Sequence, residues 1–252
     1  TIDPRDGDAM FVDGGNAAIL ATSHLEVHLV RVAAVRRGGH RKVVVREFFV
    51  LVRRQEHDCA LQCIPKQDLP SAIVADSMDQ AVQRVRRLCE LSMCRHGEGV
   101  LVVLDGSLDQ QDDEKDVSID GLQIIGLSKT TQRGGDRPLA HTLLGAGPSA
   151  AWFYPETQFG GFVKLHPRSI HVFRVEFRGV EVHHALGVLL KESADPVFLG
   201  YPYGLIEADR RARVSKEEVK YLRTRLLNKI HGKDIEAALS TRDAHDILDT
   251  VA

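Results

Sequence analysis

The chain has 252 residues, 43% of them hydrophobic, and a formal net charge of −2. This length is enough for one large domain with a substantial core. The near-neutral charge does not by itself indicate a nucleic-acid-binding protein. The longest apolar runs, near 43–52 and 100–104, are too short to span a bilayer, and no signal-peptide pattern is found. We therefore expect a cytoplasmic protein with no membrane partner.

The cysteines leave a zinc site as a minor alternative. Cys59 and Cys63 form one pair and Cys89 and Cys94 another, but neither pair has the two-residue spacing typical of zinc ligands. Reduced thiols in a cytosolic protein explain them more simply.

The first predicted element is a buried strand that ends in a carboxylate. Residues 10–12 are apolar, and Asp13 follows them directly. Gly14 and Gly15 then predict a sharp turn, because glycine tolerates the backbone angles of tight turns.

Two further strands complete a predicted antiparallel meander. Residues 25–35 alternate, residues 43–52 are rich in β-branched side chains, and glycines at 38–39 predict the hairpin turn between them. Basic residues crowd 31–54 and 210–225, and acidic residues crowd 105–120. This distribution suits a basic groove beside an acidic metal site, although solvated surface charge explains it equally well.

A helix and a second strand ending in aspartate follow the meander. Residues 55–77 contain two prolines and predict a connector with little regular structure. An apolar stripe of helical period predicts a helix over 79–95, capped by Asp79 and carrying Glu90. The apolar run 100–104 predicts a central strand that ends at Asp105, and its short link to the helix favours a parallel crossover.

The remainder of the chain predicts mixed strands and helices. The expected elements up to residue 177 are an acidic loop at 109–120, a strand at 121–126 that leads to Ser128 and Lys129, a loop-rich segment at 134–148, and a hairpin of strands 162–165 and 171–177. After them we expect a helix at 180–191 and a helix carrying Glu207, Asp209 and Arg210. The last two elements are a helix from the capping box at Ser215 to about 230 and a closing helix from 242. We predict one domain over 1–252 with a C-terminal helical extension at about 215–252.

The order of the acidic residues indicates a function. Two strands that each deliver an aspartate could place two like charges side by side, and such a pair needs a cation, for which hard divalent ions with oxygen ligands are suited. Asp13 on the first strand, Glu90 on a helix, Asp105 on the fourth strand and Asp209 on a late helix follow the ribonuclease-H-like layout. We therefore predict an α/β fold with a mixed sheet, in which an antiparallel three-strand meander and parallel strands are flanked by helices.

Five stretches together resemble the NurA nucleases of DNA end resection. They are 11–15, 86–90, 104–108, 125–129 and 200–209. The resemblance implies a manganese-dependent DNA nuclease, with Mg²⁺ as a second usable ion, that forms a homodimer and works with a hexameric HerA-type ATPase. In such an assembly Arg36 and Arg37 are candidates for lining the DNA entry path.

The resemblance also implies residue roles. Asp13, Glu90 and Asp105 correspond to the acidic metal ligands of the family, and Tyr201 corresponds to its active-site tyrosine. Asp209 stands where the family commonly has histidine, which preserves a metal ligand but leaves metal preference open. Lys129 is a candidate phosphate-binding residue as well as a possible surface lysine.

Two other functions remain open at this stage. Actin-like proteins also hold magnesium nucleotides with Asp-Gly turns, but they need two duplicated domains and richer phosphate loops than 252 residues provide here. A catalytically weakened scaffold or DNA-binding subunit of a HerA complex is the second alternative, supported by Asp209 and by the short segment before Asp13.

Overall fold

The computed structural model describes residues 2–108, 117–129 and 136–229. The strands are β1 Ala9–Ala21, β2 Leu25–Arg37, β3 Lys42–Arg54, β4 Cys59–Ile64, β5 Ala72–Ile73, β6 Leu101–Asp105, β7 Gln123–Lys129, β8 Trp152–Thr157, β9 Gly160–Lys164 and β10 Phe173–Arg178. The helices are α1 Met78–Cys94, α2 Asp136–Ala146, α3 Val182–Glu192, α4 Tyr203–Ala212 and α5 Lys216–Leu227, with a short 3₁₀ helix at Arg95–Gly97.

The ten described strands form one mixed sheet. Their order is β5-β4-β3-β2-β1-β6-β7-β10-β9-β8. β6 is parallel to both β1 and β7, whereas β10 is antiparallel to β7 and β9. The predicted fold class, a ribonuclease-H-like mixed sheet flanked by helices, is confirmed.

The first strand is longer than predicted. β1 continues through Gly14 and Gly15 to Ala21, and neither glycine has a positive φ. Ile19 and Leu20 beyond the glycines are buried, so the extended chain still gains apolar burial there. The prediction of a sharp turn after Asp13 is therefore wrong.

The segment after the meander is also more regular than predicted. β4 pairs antiparallel with β3, and β5 pairs with β4, so residues 55–77 extend the sheet instead of forming a structureless connector. The first turn of α1 is capped by Ser77, whose Oγ accepts from Gln80 N, and not by Asp79. The predicted apolar stripe of α1 is buried at Ala81, Val82, Val85, Leu88 and Leu91.

Two elements of the later chain escaped prediction. The segment 134–148 contains α2, because Leu139, Leu143 and Leu144 pack with Trp152 and Phe162 in a small apolar cluster. β8 pairs with β9, so the predicted hairpin of β9 and β10 belongs to three consecutive antiparallel strands.

The predicted helices of the last third are present where the structure describes them. Ser215 caps α5 by accepting from Glu218 N, as the capping box predicted. The closing helix from 242 and most of the acidic loop at 109–120 lie outside the described residues.

The chain divides into two compact units. The first comprises 1–14, 32–45 and 88–212, and the second comprises 15–31, 46–87 and 213–252. In the first unit the main core lies between the central strands and the helices α3 and α4, with Phe11, Val103, Leu127 and Leu186 among its buried members. A smaller core of the second unit joins Leu20 and Val27 to Phe49, Leu51, Leu226 and Leu227. No described helix has the combination of length and apolar character needed to cross a membrane.

Candidate metal and nuclease site

Asp13 and Asp105 lie on adjacent parallel strands. The pairing of β1 with β6 ends at Val12 opposite Leu104, and the next residue of each strand is an aspartate. Both aspartates stand two residues beyond members of the main core, Phe11 and Val103, so they continue the same face of the sheet. The expected adjacency of the two strands is confirmed.

Asp13 lies in a strongly negative and dry environment. It is only 9% exposed, and its Oδ1 accepts a hydrogen bond of 2.7 Å from Gly14 N. Burial, followed by the negative charges of Asp105 and Glu90 and more weakly that of Asp209, raises the pKa of Asp13 from 3.8 to about 8. Ionising the carboxyl group of Asp13 in the folded protein therefore costs free energy.

Two helices bring the other predicted carboxylates to this strand pair. Glu90 comes from α1 and is 4% exposed. Asp209 comes from α4, and α4 approaches β1 closely because Gly204 has no side chain where it meets Phe11: a Cβ on Gly204 would lie 2.1 Å from Phe11 Cδ2. The charges of Glu90, Asp105 and Asp209 thus all act on Asp13.

Tyr201 joins the same group through Asp105. Its hydroxyl donates to Asp105 Oδ2 at 3.3 Å, and its ring packs on Phe173 with centroids 5.4 Å apart. Burial, and after it the charges of Asp105 and Asp13, raises the pKa of Tyr201 far above its ordinary value. The tyrosine is therefore a permanent hydrogen-bond donor to the site.

Lys129 lies at the end of β7, the strand that pairs with β6. It is the exposed last residue of β7 and stands opposite Phe173 of β10. Its proposed role in binding phosphate stays a prediction.

The arginines expected to line a DNA path are engaged in ion pairs. Arg36 binds Asp8 at 2.9 Å, and Arg37 binds Glu192 at 2.6 Å. The guanidinium of Arg37 also lies 4.9 Å from the ring centre of Tyr203. Reversing these charges would therefore disturb the packing of β2 and its hairpin as well as any DNA contact.

Sequence reasoning missed Glu176. It lies on β10, where Arg174 and Glu176 alternate with buried Phe173, Val175 and Phe177. Glu176 accepts hydrogen bonds from Ser107 and Leu108, which belong to the segment 106–108 that follows Asp105. The alternation by itself shows that Glu176 lies on the face of the sheet opposite to the main core. Only the strand order reveals which residues Glu176 contacts.

The donor set fits a hard divalent cation. Its members are four carboxylates, whose oxygens suit hard divalent ions, and burial together with the neighbouring negative charges raises the pKa of Asp13. Within the described residues, no group of three or more His, Cys, Asp or Glu side chains is arranged to hold a metal ion. The carboxylates therefore interact electrostatically without forming a closed ligand cage.

Comparison with known proteins identifies solved structures of similar fold. No protein-family model matches the chain, and no curated protein sequence matches it. Among solved structures, the NurA nuclease from Sulfolobus solfataricus matches with a TM-score of 0.57 and 18% identity, covering 92% of this chain and 86% of that one. Endonuclease V of Ciona intestinalis, in complex with an inosine-containing DNA, matches with a TM-score of 0.47 and 12% identity over 86% and 87% of the two chains, a likeness too weak to support an inference. The chain has the fold of the NurA nuclease, in agreement with the resemblance of its motifs.

Proposed function

We propose that this protein is a metal-dependent DNA nuclease that hydrolyses phosphodiester bonds. The observation that carries the proposal is that Asp13 and Asp105 follow paired residues of two adjacent strands while the charges of Asp105, Glu90 and Asp209 act on Asp13. These four residues would hold Mn²⁺, with Mg²⁺ as the alternative. A bound divalent ion would supply activation of water and stabilisation of the leaving oxygen.

The protein groups have distinct roles in this proposal. Asp13 within β1 and Asp105 at the end of β6 would supply negative charge from adjacent strands of the sheet. Tyr201 donates to Asp105 Oδ2 and thereby fixes the orientation of that carboxylate. Lys129, at the exposed end of β7, would contact a phosphate of the substrate.

The direct test is DNA cleavage by the purified protein with Mn²⁺, with Mg²⁺ and with a chelator. We expect cleavage of single-stranded DNA and of duplex ends in either metal and none in the chelator. Glu90→Gln should reduce the rate by about 100-fold or more, because one buried ligand charge is lost. Exposed Glu98→Gln is the control and should behave as the wild type.

Two results would reject the proposal. If the wild type cleaves no DNA in either metal, it is the scaffold subunit that the sequence left open. If it binds ATP and does not cleave DNA, the actin-like alternative gains support. Equal rates for Glu90→Gln and Glu98→Gln would remove Glu90 from the site.

Asp209 should set the metal preference and the acid limit of the reaction. Replacement by histidine introduces an imidazole, which loses its metal-binding lone pair on protonation at pH ~6.5. Imidazole also suits Mg²⁺ less well than a carboxylate does. Asp209→His should therefore show a steeper fall in rate below pH 7 and a higher ratio of Mn²⁺ to Mg²⁺ activity. Identical pH profiles and metal ratios in the two proteins would place Asp209 outside the ligand set.

The finer function we propose is cytoplasmic DNA end resection by a homodimer with a HerA-type hexameric ATPase. A chain with net charge −2 gains little DNA affinity from its overall field, so a partner that delivers DNA is physically useful. We expect a dimer by light scattering and weak, salt-sensitive DNA binding that strengthens when the ATPase is added. A monomer at micromolar concentration, or DNA binding unchanged by the ATPase, would contradict this assembly.

A further inference from the structure

The segment that follows Asp105 crosses the neighbouring strand. Gly106 has φ +112, a left-handed conformation that favours glycine, and its N donates to Leu127 O at 2.9 Å. The segment then passes directly over Gly126 of β7. A Cβ on Gly126 would lie 2.8 Å from Gly106 O and 2.8 Å from Leu108 Cγ. The absence of a side chain at this position is what lets the segment lie flat on β7.

Glu176 holds the far end of this segment. It stands on β10, directly opposite Gly126 in the antiparallel pairing. Its Oε2 accepts from Ser107 Oγ at 2.7 Å and from Leu108 N at 2.5 Å. Hydrogen bonds to a carboxylate are stronger than those between neutral groups, so Glu176 fastens both residues to β10.

Glu176 is itself held in place by an arginine. Arg174 Nε lies 3.5 Å from Glu176 Oε1, and Arg174 also binds Glu156 of β8 at 2.7 Å. The Glu176 side chain is 14% exposed, so its two hydrogen bonds to the segment are shielded from competing water.

We propose that Glu176 is a positioning residue for Asp105. Asp105 is the last residue of β6, so the position of its carboxylate depends on the segment 106–108 that follows it. Glu176 accepts hydrogen bonds from that segment, and the Tyr201 hydroxyl donates directly to the carboxylate of Asp105. Glu176 acts through Ser107 and Leu108 and does not belong to the ligand set. The inference rests on the proposed metal-dependent function. It adds that Glu176, on β10, contributes to the affinity for the ion.

The test compares Glu176→Ala with Glu156→Ala. Both variants remove a carboxylate that binds Arg174, but of the two it is Glu176 that accepts hydrogen bonds from Ser107 and Leu108 in the part of the chain that the structure describes. Binding of Mn²⁺ is measured directly by the electron paramagnetic resonance of the free ion, and DNA cleavage is measured as separate kcat and KM values. Thermal unfolding in a chelator reports whether each variant folds.

We expect Glu176→Ala to weaken Mn²⁺ binding by about 10-fold or more, the usual consequence of removing a group that orients a ligand. The KM for DNA should stay unchanged, and kcat should recover as Mn²⁺ is raised. Glu176→Gln keeps an oxygen that can accept from Leu108 N, so it should restore most of the affinity. Glu156→Ala should bind Mn²⁺ as the wild type does.

Equal Mn²⁺ affinity in Glu176→Ala and Glu156→Ala would overturn the inference. If Glu176→Ala fails to fold, Ser107→Ala replaces it, since it removes one of the two bonds to Glu176 and should weaken Mn²⁺ binding a few-fold. Wild-type Mn²⁺ affinity in Ser107→Ala would then overturn it. A wild type that binds no Mn²⁺ at all would reject the proposed function itself, which is a distinguishable result.

Discussion

Replacing Asp13 with asparagine should abolish DNA cleavage while leaving the protein folded. Asparagine has nearly the same size and can still accept from Gly14 N, but it lacks the charge that would hold a cation. We expect a loss of at least about 1,000-fold in kcat, equivalent to about 4 kcal/mol of transition-state stabilisation. A single-turnover assay in saturating Mn²⁺ measures this loss. Wild-type rates in the variant would remove Asp13 from the catalytic site.

The same variant should be more stable than the wild type in a chelator, and increasingly so as pH rises. The pKa of Asp13 is about 8 in the folded protein and 3.8 ordinarily, so the folded state binds this proton more tightly than the unfolded chain. Stability of the wild type is therefore lost as pH rises from about 4 to about 8, by up to about 1.4 kcal/mol for each pKa unit. Asparagine removes this dependence.

Thermal unfolding in a chelator at pH 5 and pH 8 checks the stability prediction. The advantage of Asp13→Asn should be larger at pH 8 than at pH 5 and constant above about pH 8. Addition of Mn²⁺ should raise the Tm of the wild type and leave that of the variant almost unchanged. A constant difference at all pH values would mean that Asp13 is ionised in the folded protein throughout.

Gly204→Ala should be the most destabilising small substitution in α4. Its Cβ would lie 2.1 Å from the ring of Phe11, which is completely buried in β1 and has little room to move. Forcing α4 away from β1 should cost about 2–3 kcal/mol of unfolding free energy. Because α4 carries Asp209, the folded fraction should also lose Mn²⁺ affinity.

Gly145→Ala in α2 provides the matched control. A Cβ at Gly145 meets nothing within 4 Å, and alanine favours helix more than glycine does, so stability should rise by up to about 1 kcal/mol. Urea unfolding of the two variants measures both changes. Equal stabilities would show that Phe11 moves aside without cost and that close contact of α4 with β1 is unimportant.

Local sequence patterns determined much of the sheet and the identity of the acidic residues. Alternating side chains predicted β2 and β3, and the apolar run before Asp105 predicted a strand buried on both faces. These features depend on neighbours in the chain, which is why they are legible in the sequence.

Glycine and proline misled the sequence interpretation where tertiary packing decided the outcome. Gly14 and Gly15 permit a turn but do not require one, and burial of Ile19 and Leu20 keeps β1 extended. The prolines of residues 55–77 similarly do not prevent β4 and β5, because hydrogen bonding to β3 stabilises them. Local propensity is weak beside the free energy of burial and sheet pairing.

Only the tertiary structure decided which residues surround Asp105. The order β6-β7-β10 lets the segment after Asp105 cross Gly126 and reach Glu176, which is about 70 positions away in the sequence. The close approach of α4 at Gly204 is likewise a contact with a strand at the opposite end of the chain. Sequence determined which carboxylates exist and that Asp13 and Asp105 follow buried apolar runs, because these patterns are local. Which groups lie beside them depends on pairings between distant segments that no local pattern encodes.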